Sequence, residues 1–203
     1  MKKIGIINLG LSNLGSITNL IIHLGKSVEL IENYSNLNKF THLILPGIGS
    51  FAEASKIIEK RKLKKFLLNF IDKEGKFFGI CLGMQLMFKS SDEHGKSTGL
   101  GLFKGKVNKF RKSYLKIPHV GFNTIKHDGN KIWKNIPKST SFYFVHSYKV
   151  DSKNVSPENS FITANYSDEF VAFIREGNVY GSQFHPEKSG KQGIQLMKNF
   201  LEI

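Results

Sequence analysis

Cysteine is nearly missing from this chain of 203 residues: Cys81 stands alone. One thiol cannot staple a fold, so a disulfide scaffold is excluded. With the histidines scattered as well, no metal site is expected. A single thiol left reduced suits the cytoplasm. Arginine is equally scarce, at three residues (Arg61, Arg111, Arg175) among 30 basic ones. The net charge of +14 is therefore almost wholly lysine. Nucleic-acid grooves favour arginine forks with interleaved aromatics, and here the lysines are spread along the chain with one modest cluster at Lys60 to Lys65. The excess reads as a solvated face or a docking surface for an acidic protein, not as nucleic-acid binding. Long apolar runs are lacking too. None approaches the ~20 residues of a bilayer span, and the opening Ile4-Gly5-Ile6-Ile7 stops at Asn8, too early for a secretion signal. Membrane association is not expected.

What the chain does have is an ordinary globular composition, 40% apolar and 23% charged. At this length roughly 70% of the unfolded surface can be buried. One domain over residues 1–203 is expected. The first half alternates strand and helix signals. Ile4 to Asn8, Ser27 to Glu32, His42 to Leu45 (broken by Pro46-Gly47) and Lys76 to Ile80 read as strands. Leu11 to Leu24 has helical spacing closed by Gly25, and Phe51 to Phe70 reads as helix in two pieces. From Gly99 the segments are shorter and strand-like: Pro118 to Ile125, Ser141 to Val150, Phe161 to Tyr166, Phe170 to Glu176 and Val179 to Phe184. A helix from Gly190 to Leu201 follows. The expected class is α/β, a mostly parallel, doubly wound sheet with a small antiparallel annex.

In such a sheet chemistry collects at the carboxyl ends of strands. Phe78-Gly79-Ile80-Cys81-Leu82-Gly83-Met84-Gln85 sits at one, as strand, Gly-x-Cys-x-Gly, then helix. This is the cysteine form of a nucleophile elbow, with glycines two residues either side of a tight turn. The following helix would present its positive end to the sulfur. A thiol nucleophile needs a base. His185 follows the strand Val179 to Phe184 and precedes Pro186-Glu187, so imidazole and carboxylate can leave one strand end together. The histidine would move the proton and Glu187 would fix its tautomer. Oxyanion stabilisation falls naturally to the backbone N–H of Leu82, with a second donor from Leu45-Pro46-Gly47-Ile48-Gly49.

The pair of motifs resembles the class I (triad) glutamine amidotransferases over nearly the whole chain. That family's sheet is flavodoxin-like. The resemblance implies hydrolysis of glutamine to glutamate and ammonia through a thioester on Cys81, with no cofactor. It also implies delivery of the ammonia to a synthase on another polypeptide. Further segments, Pro118-His119-Val120-Gly121-Phe122-Asn123, Phe144-Val145-His146-Ser147-Tyr148 and His185-Pro186-Glu187-Lys188-Ser189-Gly190, look like glutaminase subunits that form a heterodimer with a (β/α)8-barrel cyclase in histidine biosynthesis. By resemblance Cys81 is nucleophile, His185 base and acid, and Glu187 its orienter. Gly49, Gln85 and the backbone around His146, Ser147 and Tyr148 hold glutamine. The N–H of Ile48 or its neighbour joins that of Leu82 in the oxyanion hole once the partner rearranges the loop. Asn13, Phe122, Tyr143 and Lys188 fall at the cyclase interface.

Two segments depart from the family pattern. Asn8-Leu9-Gly10-Leu11-Ser12-Asn13 replaces Asp-Tyr-Gly-x-Gly-Asn, and Phe122 replaces a tryptophan. Both bear on the partner rather than on thioester chemistry. A glutaminase serving a sugar amidotransferase is therefore the alternative, and a non-catalytic docking subunit is a further one that the intact triad argues against.

Overall fold

The computed structural model describes residues 2–11, 14–111 and 115–203. Its first half comprises β1 (Ile4–Ile7), α1 (Gly15–His23), β2 (Val28–Ile31), β3 (His42–Gly47), α2 (Phe51–Lys60), α3 (Leu63–Asp72) and β4 (Lys76–Cys81). The expected two-piece helix divides at Lys62, whose φ of 52° no α-helix accommodates. Strands β1 and β2, β1 and β3, and β3 and β4 all pair in parallel, as helical crossovers require.

One expectation fails at Pro46, where β3 continues to Gly47 instead of breaking. The β1 register stops at Ile44, while β4 keeps pairing out to Gly47 opposite Cys81. Proline there stands on a one-sided stretch of strand, where a missing N–H is tolerated.

The last strands, β11 (Ser160–Tyr166), β12 (Asp168–Glu176) and β13 (Val179–Ser182), return to the same sheet, and α5 (Gly190–Glu202) follows. The order is β11-β12-β13-β4-β3-β1-β2. β13 lies parallel to β4, whereas β12 and β11 add an antiparallel edge. Core layers cover both faces. Ile17 and Ile21 of α1 and Leu196 and Phe200 of α5 pack with Trp133, Phe142 and Phe144. Phe51 and Ala54 of α2 and Leu63, Leu67 and Phe70 of α3 fill the other side with Phe88, Phe103 and Val107. Alternation along the strands sorts the residues: Phe77, Leu43 and Leu45 face the second layer, Phe78 and Ile44 the first. The mostly parallel α/β sheet is as expected.

The annex is larger than its sequence suggests. β5 (Phe88–Ser91), β6 (Ser97–Thr98), β7 (Phe103–Lys109) and β10 (Tyr148–Val150) form a second sheet. Within it β5 and β7 run parallel and the other pairs antiparallel. Strands β8 (His119–Lys126) and β9 (Ser139–His146) pair separately, antiparallel, so the expected strand from Ser141 to Val150 is in fact two.

Candidate active site

Cys81 ends β4, flanked by β3 and β13, so it stands at the carboxyl edge of the central strands. Its backbone is held at φ 54° and ψ −108°, a conformation costly for a residue with a side chain, about 1–3 kcal/mol. Both flanking glycines have steric reasons. A Cβ on Gly83 would lie 1.8 Å from the carbonyl oxygen of Leu45 in β3. One on Gly79 would lie 2.7 Å from the carbonyl of Gly83. The turn closes only when neither side chain exists.

The helix after the cysteine differs from expectation. It is one turn long, α4 (Leu82–Gln85), before the chain enters β5. A single turn aligns few peptide dipoles, so the field expected at the sulfur is small. A side-chain donor stands there instead: Nε2 of Gln183 lies 3.6 Å from Sγ and donates to it. On another side the thiol reaches the carbonyl of Val145 at 3.8 Å.

Because β13 pairs in parallel with β4, Ser182 opposite Ile80, the chain leaving β13 passes beside Cys81. His185 arrives there, buried, with its backbone N–H donating to the carbonyl of Tyr143 at 2.9 Å. Nδ1 of His185 contacts Oε1 of Glu187 at 2.7 Å and is therefore the protonated nitrogen. Burial opposes charge on the ring. The Cys81 sulfur and the Glu187 carboxylate overcome that cost and raise the imidazole's pKa to about 10. Nε2 makes no hydrogen bond of ordinary geometry, so the sulfur acts on it by proximity without a well-formed bond. Oε2 of Glu187 is also buried and unpartnered. Such atoms are rare in folded proteins and mark a site kept for something other than stability.

Above the sulfur opens a cleft of about 340 Å³ lined by Ile48, Gly49, Cys81, Leu82, Gln85, Glu93, Pro118, Val145, His146, Ser147 and Tyr148. It gathers every residue expected to hold glutamine and both expected oxyanion donors, while His185 and Glu187 do not line it. A larger groove of about 780 Å³, along α2 and α3, contains none of them. Gln85 is tied down at both amide hydrogens, to the carbonyl of Tyr148 and to Oε1 of Gln183, each at 2.9 Å. His146 donates from Nδ1 to that same Tyr148 carbonyl at 2.8 Å, and its Nε2 meets Nδ1 of His119 at 3.1 Å. Burial first, and then the mutual proximity of charged forms, holds the His146 pKa down at about 3, and burial holds His119 at about 4. Both rings are neutral near pH 7.

The family model for glutamine amidotransferase class-I matches residues 5–203. The chain belongs to that family. Among similar glutamine amidotransferases is the imidazole glycerol phosphate synthase subunit HisH of Methanosarcina mazei, 39% identical over the full length of both chains. The chloroplastic imidazole glycerol phosphate synthase hisHF of Arabidopsis thaliana is 35% identical over 97% of this chain and 33% of its own. A crystal structure of a glutamine amidotransferase superposes with a TM-score of 0.77 at 18% identity, covering 98% and 97% of the two chains, a likeness of fold. These relatives do not favour the sugar amidotransferase alternative.

For a glutamine amidotransferase of this kind, the residues expected at a partner interface are only partly on view. Phe122 is 63% exposed, and its ring meets that of Tyr143 at 5.6 Å. Nζ of Lys188 sits 5.8 Å over the Tyr143 ring, so these three share one face. Asn13 lies outside the described residues. Among the described residues no helix is long and apolar enough to cross a membrane, and no cluster of three or more His, Cys, Asp or Glu could hold a metal.

Three side chains at the amidotransferase site escaped the sequence reading. Glu93 lines the cleft and accepts from the N–H of Phe51 at 2.7 Å. Gln183 and His119 reach the site only through tertiary contacts. Asp92-Glu93 looks like a polar turn, and Gln183 looks like a strand residue. The one available signal was that Gln183 is a buried-type position occupied by an amide, two residues before the histidine.

Proposed function

We propose that this chain, as one domain over residues 1–203, is the glutaminase subunit of an imidazole glycerol phosphate synthase. It hydrolyses glutamine and passes ammonia to a (β/α)8-barrel cyclase subunit in a cytoplasmic heterodimer. The observation that carries the reading is the His185–Glu187 couple acting on Cys81 at the wall of a cleft of amino-acid size.

The chemistry runs as follows. The sulfur of Cys81 adds to the side-chain amide carbon of glutamine, and the carbonyl electron pair moves to oxygen. Leu82 and Ile48 line the cleft beside the sulfur as donors to that oxyanion. The N–H of Leu82 opens α4 and has no intrahelical partner. Gly49, at φ 106° with open space around it, gives the neighbouring peptide room to turn. The imidazolium of His185 hands its proton to the amide nitrogen, ammonia leaves, and a thioester remains. His185 then takes a proton from water, which attacks the thioester and releases glutamate. Glu187 keeps the ring in one tautomer throughout. At the other end of the substrate, Gln85 has spent both N–H groups, so its Oε1 is left as an acceptor for the α-ammonium, together with the carboxylate of Glu93. The backbone of His146, Ser147 and Tyr148 supports the substrate's flank.

Phe122, Tyr143 and Lys188 are the docking side chains, with Asn13 as the fourth by resemblance. The plant hisHF chain, of which this protein matches a third, supports a partnership by leaving length for a second unit in the same polypeptide. A partner that completes the oxyanion loop only when its own substrate is bound prevents idle loss of glutamine. The test is Cys81→Ala in complex with the cyclase. Glutamine-dependent synthesis is abolished while synthesis from ammonium salts persists. Retention of glutamine-dependent turnover by the variant overturns the reading.

A further inference from the structure

We propose that Gln183 is a further catalytic residue: its side-chain amide N–H stabilises the anionic sulfur of Cys81, and a chain of hydrogen bonds starting at a backbone carbonyl fixes which way that amide points. The inference rests on Cys81 being the nucleophile.

The polarity follows from one end. The carbonyl of Tyr148 can only accept, so Gln85 must turn its NH2 toward it. The second hydrogen of that NH2 goes to Gln183, which must therefore present its oxygen. The amide of Gln183 then has only its NH2 left for the sulfur at 3.6 Å. His146, neutral and donating to the same Tyr148 carbonyl, leaves no freedom at the start of the chain, and His119 donates in turn to His146. Neither amide can flip without orphaning a donor or acceptor in a buried place, since Gln183 is 0% and Gln85 5% exposed.

The sulfur has two polar neighbours with opposite demands. The carbonyl of Val145, at 3.8 Å, favours the thiol, which can donate to it. The N–H of Gln183 favours the anion, as a hydrogen bond to the charged form does. With α4 only one turn long, this side chain supplies the donor that a longer helix would otherwise bring. The other titratable groups at the sulfur or in its cleft are His185 and Glu187 after β13, His146 on β9, Tyr148 on β10 and Glu93 after β5. None of them is itself altered by a substitution at Gln183.

Two substitutions separate the donor from its charge. Gln183→Met removes the N–H without adding charge. Gln183→Glu keeps an acceptor for Gln85 and turns a carboxylate oxygen toward the sulfur. Cys81 is the only thiol in the chain, so the pH dependence of alkylation by iodoacetamide in the assembled complex, read from the mass gained by this chain, reports this sulfur alone. In Gln183→Met the midpoint moves up by about one pH unit, roughly a tenfold slower alkylation at pH values well below the midpoint. In Gln183→Glu it moves further. An unchanged midpoint in Gln183→Met, or a shift confined to Gln183→Glu, overturns the proposal, because charge alone would then be the cause. Should Gln183→Met fail to fold by circular dichroism, Gln183→Asn, which withdraws the N–H from the sulfur by one methylene, takes its place under the same criterion. Failure of the underlying reading looks different: wild-type Cys81 would resist a glutamine-analogue electrophile in the complex, whatever Gln183 does.

Discussion

The close approach of β3 to the cysteine turn makes Gly83→Ala the sharpest test of how this site is built. The added Cβ would stand 1.8 Å from the carbonyl oxygen of Leu45, 2.9 Å from its carbonyl carbon and 3.3 Å from Cγ. Relief to an ordinary contact of about 3.4 Å needs a shift of about 1.6 Å between two backbones. Neither yields readily. Leu45 is fully buried in a strand paired to β4, and Cys81 next door already holds an unfavourable φ. Overpacking of this kind costs about 3 kcal/mol, and alanine's better helix propensity returns about 1. The net loss of about 2 kcal/mol corresponds to a fall in Tm of about 4–8 °C for a protein of this size. A displacement of this order at Cys81, the proposed nucleophile, also costs about a hundredfold in turnover. Differential scanning calorimetry and glutamine-dependent turnover of the complex measure both. Gly10→Ala is the control, because its Cβ meets nothing within 4 Å and only its φ of 82° is penalised. A Gly83→Ala protein with wild-type Tm and turnover refutes the steric account of the elbow.

Histidine chemistry gives stability a dome in pH. Burial holds His42 and His119 at about 4 and His146 at about 3, below the unfolded value near 6.5. The unfolded chain therefore takes up protons first, and stability falls as pH drops from 6.5 toward 4. His185, raised to about 10 against burial by Cys81 and Glu187, acts in reverse: its contribution is complete below pH 6.5 and is lost as pH rises through 10. Urea midpoints from pH 4 to 10 trace both limbs. His119→Phe flattens the acid one, and an acid limb of undiminished steepness in that variant counts against the burial argument. Separately, Phe122→Ala, changing a ring 63% exposed, leaves Tm unchanged and weakens cyclase binding about tenfold by isothermal titration calorimetry. Unaltered affinity removes Phe122 from the docking surface.

The parallel half of the fold was legible because its signals are local. Ile4 to Ile7 is a dense apolar run that stops at Asn8, His42 to Leu45 is one that runs into Pro46-Gly47, and α1 keeps apolar residues at helical spacing. The annex was not, because β5 reads Phe-Lys-Ser-Ser and β7 Phe-Lys-Gly-Lys-Val-Asn-Lys. Their few apolar residues become a strand pattern only when β10 and the second core layer are placed against them. The site divides in the same way. Cys81, Gly79 and Gly83 announce themselves because the elbow is a local construction, and His185-Pro186-Glu187 because proline and carboxylate flank the ring. Glu93, Gln183 and His119 carry no such mark. Their places are set by contacts across 42, 102 and 27 positions of sequence, with Phe51, Cys81 and His146 respectively. The expected helix dipole at the sulfur was an error of length: the chain builds one turn, Leu82–Gln85, before turning into β5.

The sheet order has a consequence for biosynthesis of the chain itself. β13 is the last strand made, yet it inserts between β4 and β12 in the interior of the sheet rather than at a rim. A ribosome-bound or truncated product ending before Val179 thus has a gap in the middle of its hydrogen-bonding ladder and lacks His185 at the same stroke. Cys81, the proposed nucleophile, is translated early and His185, its proposed proton carrier, late, so completing the architecture and bringing the two together are one event.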